Sequence, residues 1–136
     1  MINVREEISI KTSKRQEIID ITSAVNDTIK RSRVKEGICN IFAMHATASI
    51  IVNENHDPNI CIDLIEALNK LIPSGIWRHD KMDGNADSHI KSAILGPGET
   101  VTVKDGRLYL GRWQSVMLAE LDGPRQRSVS ITVVGD

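Results

Sequence analysis

The sequence predicts one α+β domain over residues 1–136, with a largely antiparallel, β-sandwich-like structure of about eight strands and two main helices packed against it. Three observations lead to this class. Several short segments alternate apolar and polar residues, as strands with one solvated face do. An Asp-Gly pair at residues 105 and 106 separates two such segments and favours a tight hairpin turn. Two other segments repeat aliphatic residues at helical spacing.

The N-terminal part predicts a strand followed by a helix. Val4, Ile8 and Ile10 alternate with polar or charged residues, which indicates a strand with one solvated face. Ser13 to Gln16 fits a capping box, so a helix is expected to begin there and to run to about Arg33, with Gly37 as its stop. The helical repeat consists of Ile18, Ile21, Val25 and Ile29.

The next part predicts two strands and the second main helix. The dense apolar segment 38–44 indicates a strand covered on both faces, and residues 46–52 continue it or turn back as another strand. Asp57 as N-cap and Pro58 at the first helical position predict the start of a helix. Its buried stripe is expected to consist of Ile62, Ile65, Leu68 and Ile72.

The C-terminal half begins with a polar loop, residues 77–89, followed by an apolar segment at 90–95. Residues 101–110 predict a hairpin in which Val103 faces Leu108 and Val101 faces Leu110. Two further strands are expected, a central one at 114–121 that is apolar on both parities and a one-sided one at 129–133.

Composition excludes several classes of function. At 136 residues, with 40% hydrophobic and 26% charged residues, the chain can bury a core without disulfides or metals. Its net charge of −1 offers no general attraction to nucleic acid or to anionic membranes. Only 3% of residues are aromatic, too few for the stacking surfaces of single-strand binders. We therefore expect neither nucleic acid nor membrane as a partner.

The two cysteines and the N-terminus indicate a cytoplasmic protein. Cys39 and Cys61 lie in apolar surroundings without C-x-x-C spacing, which favours two free thiols. The first ten residues contain charges where a signal peptide needs a continuous apolar core, and no apolar run reaches the length of a membrane span.

Histidines carry the first candidate chemistry. His45 ends a buried strand at the inward parity, so it is either a satisfied core histidine or a site residue. His79 and His89 lie in the polar loop, which is either an ordinary solvated connection or part of a site. Three imidazoles from two segments could form an open metal site, and neutral histidine nitrogens suit zinc, copper, iron or nickel.

An acid and several arginines carry the second. Glu120 shares its parity with apolar residues of a central strand, and a buried carboxylate is costly unless it is paired. It is therefore either ion-paired, with Arg125 or Arg127 as partner, or functional. Arginines grip phosphate through two parallel hydrogen bonds, but they are also common on strand edges. The sequence contains no P-loop, dinucleotide-binding or serine-hydrolase motif.

Six motifs in order resemble one family almost from end to end. They are His45-Ala-Thr-Ala-Ser49, Asn53-Glu-Asn-His-Asp-Pro58, His79 with Asn85 and His89, Asp105-Gly-Arg-Leu108, Leu110-Gly-Arg-Trp-Gln114, and Glu120 with Asp122-Gly-Pro-Arg125. On these residues the chain is identified as a member of the YjbQ family, also called UPF0047 or secondary thiamine-phosphate synthase. The resemblance implies a small α+β domain that forms homotrimers.

The resemblance also implies a site and a reaction. The expected reaction joins hydroxymethylpyrimidine diphosphate to a thiazole phosphate and releases diphosphate, so the partner is a small phosphorylated ligand, and a divalent metal, zinc or magnesium, could assist. The implied catalytic residues are His45, Asn53, Glu54 and Glu120. The implied substrate- and phosphate-binding residues are Thr47, Asn85, Trp113, Gln114, Arg125 and Arg127. The implied metal ligands are His45, His79 and His89. Asp80 and Asp83 are expected to lie outside the site.

Two positions depart from the family pattern and leave the substrate open. Ala46 stands where the family usually has a hydroxyl residue, and Arg112 stands where it usually has threonine. The competing hypothesis is a metal- or small-ligand-binding module in which synthase activity is incidental, and the same histidines serve either function.

Overall fold

A computed structural model describes the whole chain, residues 1–136. The strands are β1 (Ile2–Lys11), β2 (Glu17–Asp20), β3 (Gly37–Ala43), β4 (Ala48–Glu54), β5 (Gly98–Lys104), β6 (Arg107–Leu108), β7 (Gln114–Glu120) and β8 (Gln126–Gly135). The helices are α1 (Thr22–Ser32), α2 (Pro58–Leu71), α3 (Asp80–Asp83) and α4 (Ala86–Leu95). No helix has both the length and the apolar character needed to cross a lipid bilayer. The predicted α+β class is confirmed.

Two antiparallel sheets contain all eight strands. Sheet A has five strands in the order β1-β8-β3-β5-β6, and sheet B has three in the order β2-β7-β4. Every pairing within them is antiparallel. The central position predicted for the strand at 114–121 is confirmed, because β7 lies between β2 and β4.

The main core lies between the inner faces of the two sheets and is completed by α1. It is one cluster of 16 buried residues. Sheet A contributes Cys39, Ile41, Ala43, Val103, Leu108, Val129, Ile131 and Val133, sheet B contributes Ala48, Ile50, Val116 and Leu118, and Ile21, Val25, Ile29 and Val34 belong to α1 and its ends. Burying one such aliphatic side chain stabilises a fold by about 1.5–3 kcal/mol for the larger residues.

Helices cover the other face of sheet B. The Ser92 hydroxyl of α4 donates to the Ala48 carbonyl at 2.9 Å, and Ser49 of β4 lies 3.0 Å from Ser92 Oγ. Helix α2 begins as predicted, since the Asp57 carboxylate accepts from the Asn59 N–H at 2.9 Å with proline at the first turn. Its buried stripe is shorter than predicted: Leu68 is buried, but Ile62 is exposed.

The predicted hairpin forms around Asp105 and Gly106. Both have positive φ, 52° and 78°, as a two-residue turn between antiparallel strands requires. Val103 pairs with Leu108 as expected. The pairing between β5 and β6 ends with Val103 and Leu108, so the expected pairing of Val101 with Leu110 does not form.

The expected helix start at Ser13 is wrong. Residues 17–20 form strand β2, which pairs with β7 at the edge of sheet B, and α1 starts only at Thr22. The Glu17 carboxylate accepts the backbone N–H groups of Ser13 and Lys14 at 2.7 Å each, so a turn replaces the capping box. Two adjacent isoleucines in β2 suit a strand. The partner strand that decides the outcome, β7, is about 100 residues away along the chain.

Strand β3 is covered on one face only in the single chain. Cys39, Ile41 and Ala43 are buried, but Ile38 is 51% and Phe42 43% exposed on the outer face of sheet A. Gly37 does not stop the helix, which ends at Ser32. It begins β3, where an added Cβ would lie 2.0 Å from the Val134 carbonyl oxygen, so only glycine allows this close strand approach.

The polar loop and the apolar segment after it are helical. Residues 80–83 form α3, and the segment 90–95 belongs to α4, which begins at Ala86. The structure thus has four helices where two main ones were predicted. Strand β2 was not predicted; it takes the place of part of the expected first helix.

Candidate active site at the converging strand ends

Five strands begin or end at one edge of the sandwich. The residues they place there are Thr12 after β1, His45 after β3, Thr47 before β4, Glu120 at the end of β7 and Arg127 near the start of β8. Antiparallel pairing produces this gathering, because Ala48 of β4 and Glu17 of β2 both lie opposite Glu120. Polar groups far apart in the sequence therefore meet at one place.

A buried ion pair forms the floor of this edge. The Glu120 carboxylate is 0% and the Arg127 side chain 2% exposed, and the Arg127 Nε donates to Glu120 Oε1 at 2.9 Å while an Nη group donates to Oε2. The Thr12 hydroxyl and the Asp122 N–H also donate to the carboxylate, at 2.7 and 3.1 Å. Every oxygen of Glu120 is thus occupied, and it does not line the cleft above it.

Arg127 in turn fixes the chain after His45. Its Nη2 donates to the Thr47 carbonyl at 3.1 Å and to the Thr47 hydroxyl at 2.9 Å. Thr47 was expected to contact substrate and Arg127 to bind phosphate, but both side chains are buried and bonded to each other. Their structural task is to hold the 45–47 turn in place.

Backbone bonding holds His45 as a neutral ring. Its Nε2 accepts the N–H of Ser128 at 2.8 Å. A neutral imidazole with an accepting Nε2 carries its proton on Nδ1, so His45 offers an N–H donor. Burial lowers the pKa of His45 below 6.5, and the positive charge of Arg127 lowers that pKa further. Both the geometry and the pKa favour the neutral form at pH 7.

Asp122 is buried, and its carboxylate joins three side chains of the site. Its Oδ2 accepts from Arg125 Nη2 at 3.0 Å and from Asn85 Nδ2 at 2.8 Å, and its Oδ1 accepts from Arg15 Nη1 at 3.2 Å. The Arg125 side chain remains 54% exposed. Of the two arginines expected to bind phosphate, Arg125 is the more exposed, since the Arg127 side chain is 2% exposed.

These groups line a polar cleft of about 550 Å³. We call it the His45 cleft, and its walls are His45, Ala46, Thr47, Asp83, Asn85, His89, Asp122, Arg125 and Arg127. Asp83, expected to lie outside the site, belongs to this wall. Asp80 has a structural role, because its carboxylate accepts the N–H groups of Trp77 and Ala86 at 2.9 and 3.1 Å, and these bonds lower the pKa of Asp80 below its ordinary value.

A second, more apolar cavity of about 670 Å³ adjoins the cleft. We call it the Trp77 cavity, and its walls are Ile76, Trp77, Arg78, His79, Ala86, His89 and Ile90. The Trp77 indole N–H donates to the Pro73 carbonyl at 2.7 Å, which fixes the ring. His89 lines both spaces, so the cleft and the cavity are neighbours on either side of one side chain.

The three predicted metal ligands do not form one cluster in the single chain. The rings of His79 and His89 meet edge to face with centroids 5.0 Å apart. Neither ring nitrogen of His45 is free to bind a metal, because Nε2 accepts from the Ser128 N–H and Nδ1 carries the proton. No three histidine, cysteine, aspartate or glutamate side chains lie close enough together to hold a metal ion. A metal stays a prediction, to be checked by elemental analysis of purified protein.

Four expected site residues lie elsewhere. Asn53 and Glu54 end β4, where Glu54 pairs with Gln114, six residues from the Ala48–Glu120 pair. At about 3.3 Å per residue that separation is about 20 Å. Here His56 packs against Trp113 with ring centroids 4.4 Å apart, and Arg112 covers the Trp113 ring at 4.7 Å. Asn53, Glu54, Trp113 and Gln114 therefore form a separate cluster within one chain.

A family model described as UPF0047 protein YjbQ-like matches residues 6–136. The chain belongs to the YjbQ, or UPF0047, family. A UPF0047 protein of Methanocaldococcus jannaschii is 45% identical over 127 residues, covering 93% of this chain and 91% of the relative. The UPF0047 protein YugU of Bacillus subtilis is 38% identical over 131 residues, covering 94% and 97%.

The YjbQ fold is shared with solved structures. A YbjQ-like protein from Sulfolobus solfataricus has a TM-score of 0.94 and 34% identity, with 98% of each chain covered, and is described as being of unknown function. Membership in the YjbQ family thus establishes the fold of this chain.

Sequence reasoning missed three charged residues beside the cleft. Arg15 links Asp122 to Asp87, with its Nη2 3.8 Å from the Asp87 carboxylate. Lys91 is buried and donates to Asp87 at 2.8 Å and to Asn69 at 2.7 Å. An acid and a base four residues apart are a helical signal, and it would have identified Asp87 and Lys91 had residues 86–95 been assigned to a helix.

Proposed function

We propose that this protein is an enzyme acting on a phosphorylated heterocycle, with thiamine-phosphate synthase-like chemistry. The observation that carries the proposal is the pairing of two spaces through His89, a polar cleft with Arg125 and an apolar cavity with Trp77. A ligand with a charged phosphate end and a flat ring needs this combination. The two volumes fall in the range of small-molecule sites, about 300–1,000 Å³.

In the proposed reaction, the ring nitrogen of a thiazole phosphate forms a bond to the methylene carbon of hydroxymethylpyrimidine diphosphate. The carbon–oxygen bond to diphosphate breaks, and the electron pair leaves with that oxygen. Catalysis then consists mainly of stabilising negative charge on the departing group. Arg125 supplies the accessible positive charge and the Nδ1–H of His45 supplies a neutral donor, while Trp77 and Ile90 contact the ring.

A divalent cation that accompanies the diphosphate would screen its charge when bound. The residues present do not form a closed metal site, since no three histidine, cysteine, aspartate or glutamate side chains come together and the Asp122 carboxylate already accepts from Arg15, Asn85 and Arg125. Asp83 is the one carboxylate in the cleft wall that makes no salt bridge. The cation therefore enters our proposal only as the counter-ion of the substrate.

The expected result is that wild-type protein couples the two heterocycles and that Arg125→Ala lowers kcat/KM by about 10- to 100-fold, the value of a hydrogen bond to a charged group. Product formation in the presence of Mg²⁺, followed by chromatography, measures it. Arg5→Ala is the matched control, because Arg5 is exposed on β1 and lies opposite Thr132, five residues along β8 from Arg127, or about 16 Å. Absence of product from wild-type protein would reject the synthase assignment.

One observation favours a second candidate, a ligand-binding module without turnover. Asp122 in the cleft wall and Glu120 beneath it already have all their oxygens in hydrogen bonds. A cleft whose buried acids are paired in this way suits the binding of anions and hydrogen-bond donors. Calorimetric binding of the substrates with no product formed would support this function over the enzyme.

We also propose that the protein assembles as a homotrimer, as the family resemblance implies. The outer face of sheet A supports this, because Ile38, Phe42 and Met44 are between 43% and 51% exposed in the single chain. Neighbouring exposed apolar side chains mark interaction surfaces. The expected sedimentation mass is about three times the chain mass of 15.1 kDa, and a mass near 15.1 kDa would contradict assembly.

A further inference from the structure

Lys91 is a buried cation that holds the bend at residues 15 and 16 by two routes. Its side chain is 1% exposed, and its Nζ donates to Asp87 Oδ2 at 2.8 Å and to Asn69 Oδ1 at 2.7 Å. The other Asp87 oxygen has no hydrogen-bond partner and lies 3.8 Å from Arg15 Nη2. Asn69 exchanges two amide hydrogen bonds with Gln16, at 2.9 and 3.0 Å. Both routes start from one buried group, so they anchor Arg15 against α2 and α4.

Arg15 in turn occupies one oxygen of the Asp122 carboxylate. Its Nη1 donates to Asp122 Oδ1 at 3.2 Å and is the only donor to that oxygen. The Gly123 N–H donates to the Arg15 carbonyl at 2.9 Å, which joins the two backbones at this point. Arg125 bonds the same residue differently, since its Nη2 donates to Asp122 Oδ2 at 3.0 Å and its Nε to the Asp122 carbonyl at 2.6 Å. The Nη1 of Arg125 therefore keeps its hydrogens unpaired within the chain.

Charge alternates along this set of side chains, which runs in the order Lys91, Asp87, Arg15, Asp122, Arg125. The planar fork of an arginine fits both oxygens of a carboxylate at once. Without Arg15, the Oδ1 of Asp122 would be left without a donor in a residue that is only 7% exposed, and buried acceptors are nearly always paired. Arg125 is the one arginine that would remain on this carboxylate. Its Nη1 would therefore turn to Asp122 and form a second bond there.

We infer that Arg15 is a positioning residue for Arg125, because by occupying Asp122 Oδ1 it keeps one Nη group of Arg125 unpaired in the wall of the His45 cleft. This role rests on the proposed function, in which Arg125 meets the charged end of the substrate. Arg15 does not line the cleft, so it acts through Asp122 and not by contact with the ligand. The buried pair of Lys91 and Asp87 then serves the site from a distance, by anchoring Arg15.

Arginine-selective labelling with phenylglyoxal, followed by mass spectrometry, measures the freedom of Arg125 without any substrate. Arg15→Met is expected to lower the labelling rate of Arg125, relative to the exposed Arg33, by about tenfold, the value of one hydrogen bond to a charged group. A loosened fold would raise that rate instead, and the buried Arg127 would begin to react. Arg107→Met, which removes an exposed arginine of β6, is the matched control and should leave the rate unchanged.

Two further variants test the route through Asp122. Arg15→Lys keeps a charged donor for Oδ1, so the Arg125 rate should stay within about twofold of wild type. Adding Asp122→Asn to Arg15→Met removes the charge that draws Arg125 and should restore its labelling. An Arg125 rate that is unchanged or raised in Arg15→Met, or a double variant that labels as slowly as the single one, would overturn this role. Because labelling needs no turnover, a protein that forms no product would refute the synthase reaction while the labelling rates still decide the role of Arg15.

Discussion

Replacing Glu120 with leucine is expected to destabilise the fold by about 3–5 kcal/mol, because it leaves the buried charge of Arg127 without a partner. The carboxylate accepts from Arg127, Thr12 and the Asp122 N–H, and all of these donors would lose their acceptor at once. A domain of this size is stable by about 5–15 kcal/mol in total. The substitution thus removes a large share of the stability.

Urea unfolding followed by circular dichroism measures this loss. Glu7→Leu is the control, since Glu7 is exposed on β1 and its replacement should change stability by less than about 0.5 kcal/mol. The double variant Glu120→Leu/Arg127→Met should recover part of the loss, because it removes both charges together. If Glu120→Leu does not fold, Glu120→Gln provides the measurement, with an expected cost of about 1–3 kcal/mol. A cost below about 1 kcal/mol for the leucine variant would contradict the importance of the pair.

The same pair predicts an acid-sensitive fold. Burial acts to raise the pKa of Glu120, but the hydrogen bonds from Arg127, Thr12 and Asp122 outweigh it and hold that pKa below 4.5. A carboxyl group whose pKa is lowered in the folded state stabilises the fold fully above its unfolded pKa. Its contribution is lost as the pH falls from about 4.5 through the lower folded value.

Local signals were enough for the elements whose partners lie nearby in the sequence. The residue types at 105 and 106 are enough to predict the hairpin turn, and the alternation of apolar and polar residues is enough to predict β8. Strand β2 could not be found this way, because its isoleucines also fit a helical repeat and only the pairing with β7 decides between them. The segment 90–95 was equally ambiguous, since a short apolar run is compatible with either structure.

For the site, the motifs supplied the residue list but not its arrangement. His45, Asn85, His89 and Arg125 do line one cleft. The role of Glu120 and the location of Trp113 and Gln114 could not be predicted, for different reasons. The parity of Glu120 indicated burial, but whether it was paired or functional depended on Arg127 from another strand. Trp113 stands at the far end of β7, and only the register with β4 shows that this end is about 20 Å from the cleft.

His45→Ala is expected to lower kcat/KM for the proposed coupling by about 100-fold or more, in the range found for positioned donors and proton-transfer groups. Two bonds are lost at once. The ligand loses the Nδ1–H donor, and the Ser128 N–H loses the acceptor that fixes the end of β3 against β8. Activity of the alanine variant equal to wild type would remove His45 from the site.

A pH profile of wild type and His45→Gln separates the catalytic from the structural part of this effect. Because burial first and then the charge of Arg127 lower the pKa of His45, the ring stays neutral to a lower pH than an ordinary histidine does. Protonation then puts a donor on Nε2 opposite the Ser128 N–H, so wild-type activity should decline on the acid side. Glutamine can accept from Ser128 but does not titrate, and its variant should fold, keep part of the activity and lack the acid decline. An identical acid decline in both proteins would assign it to another group.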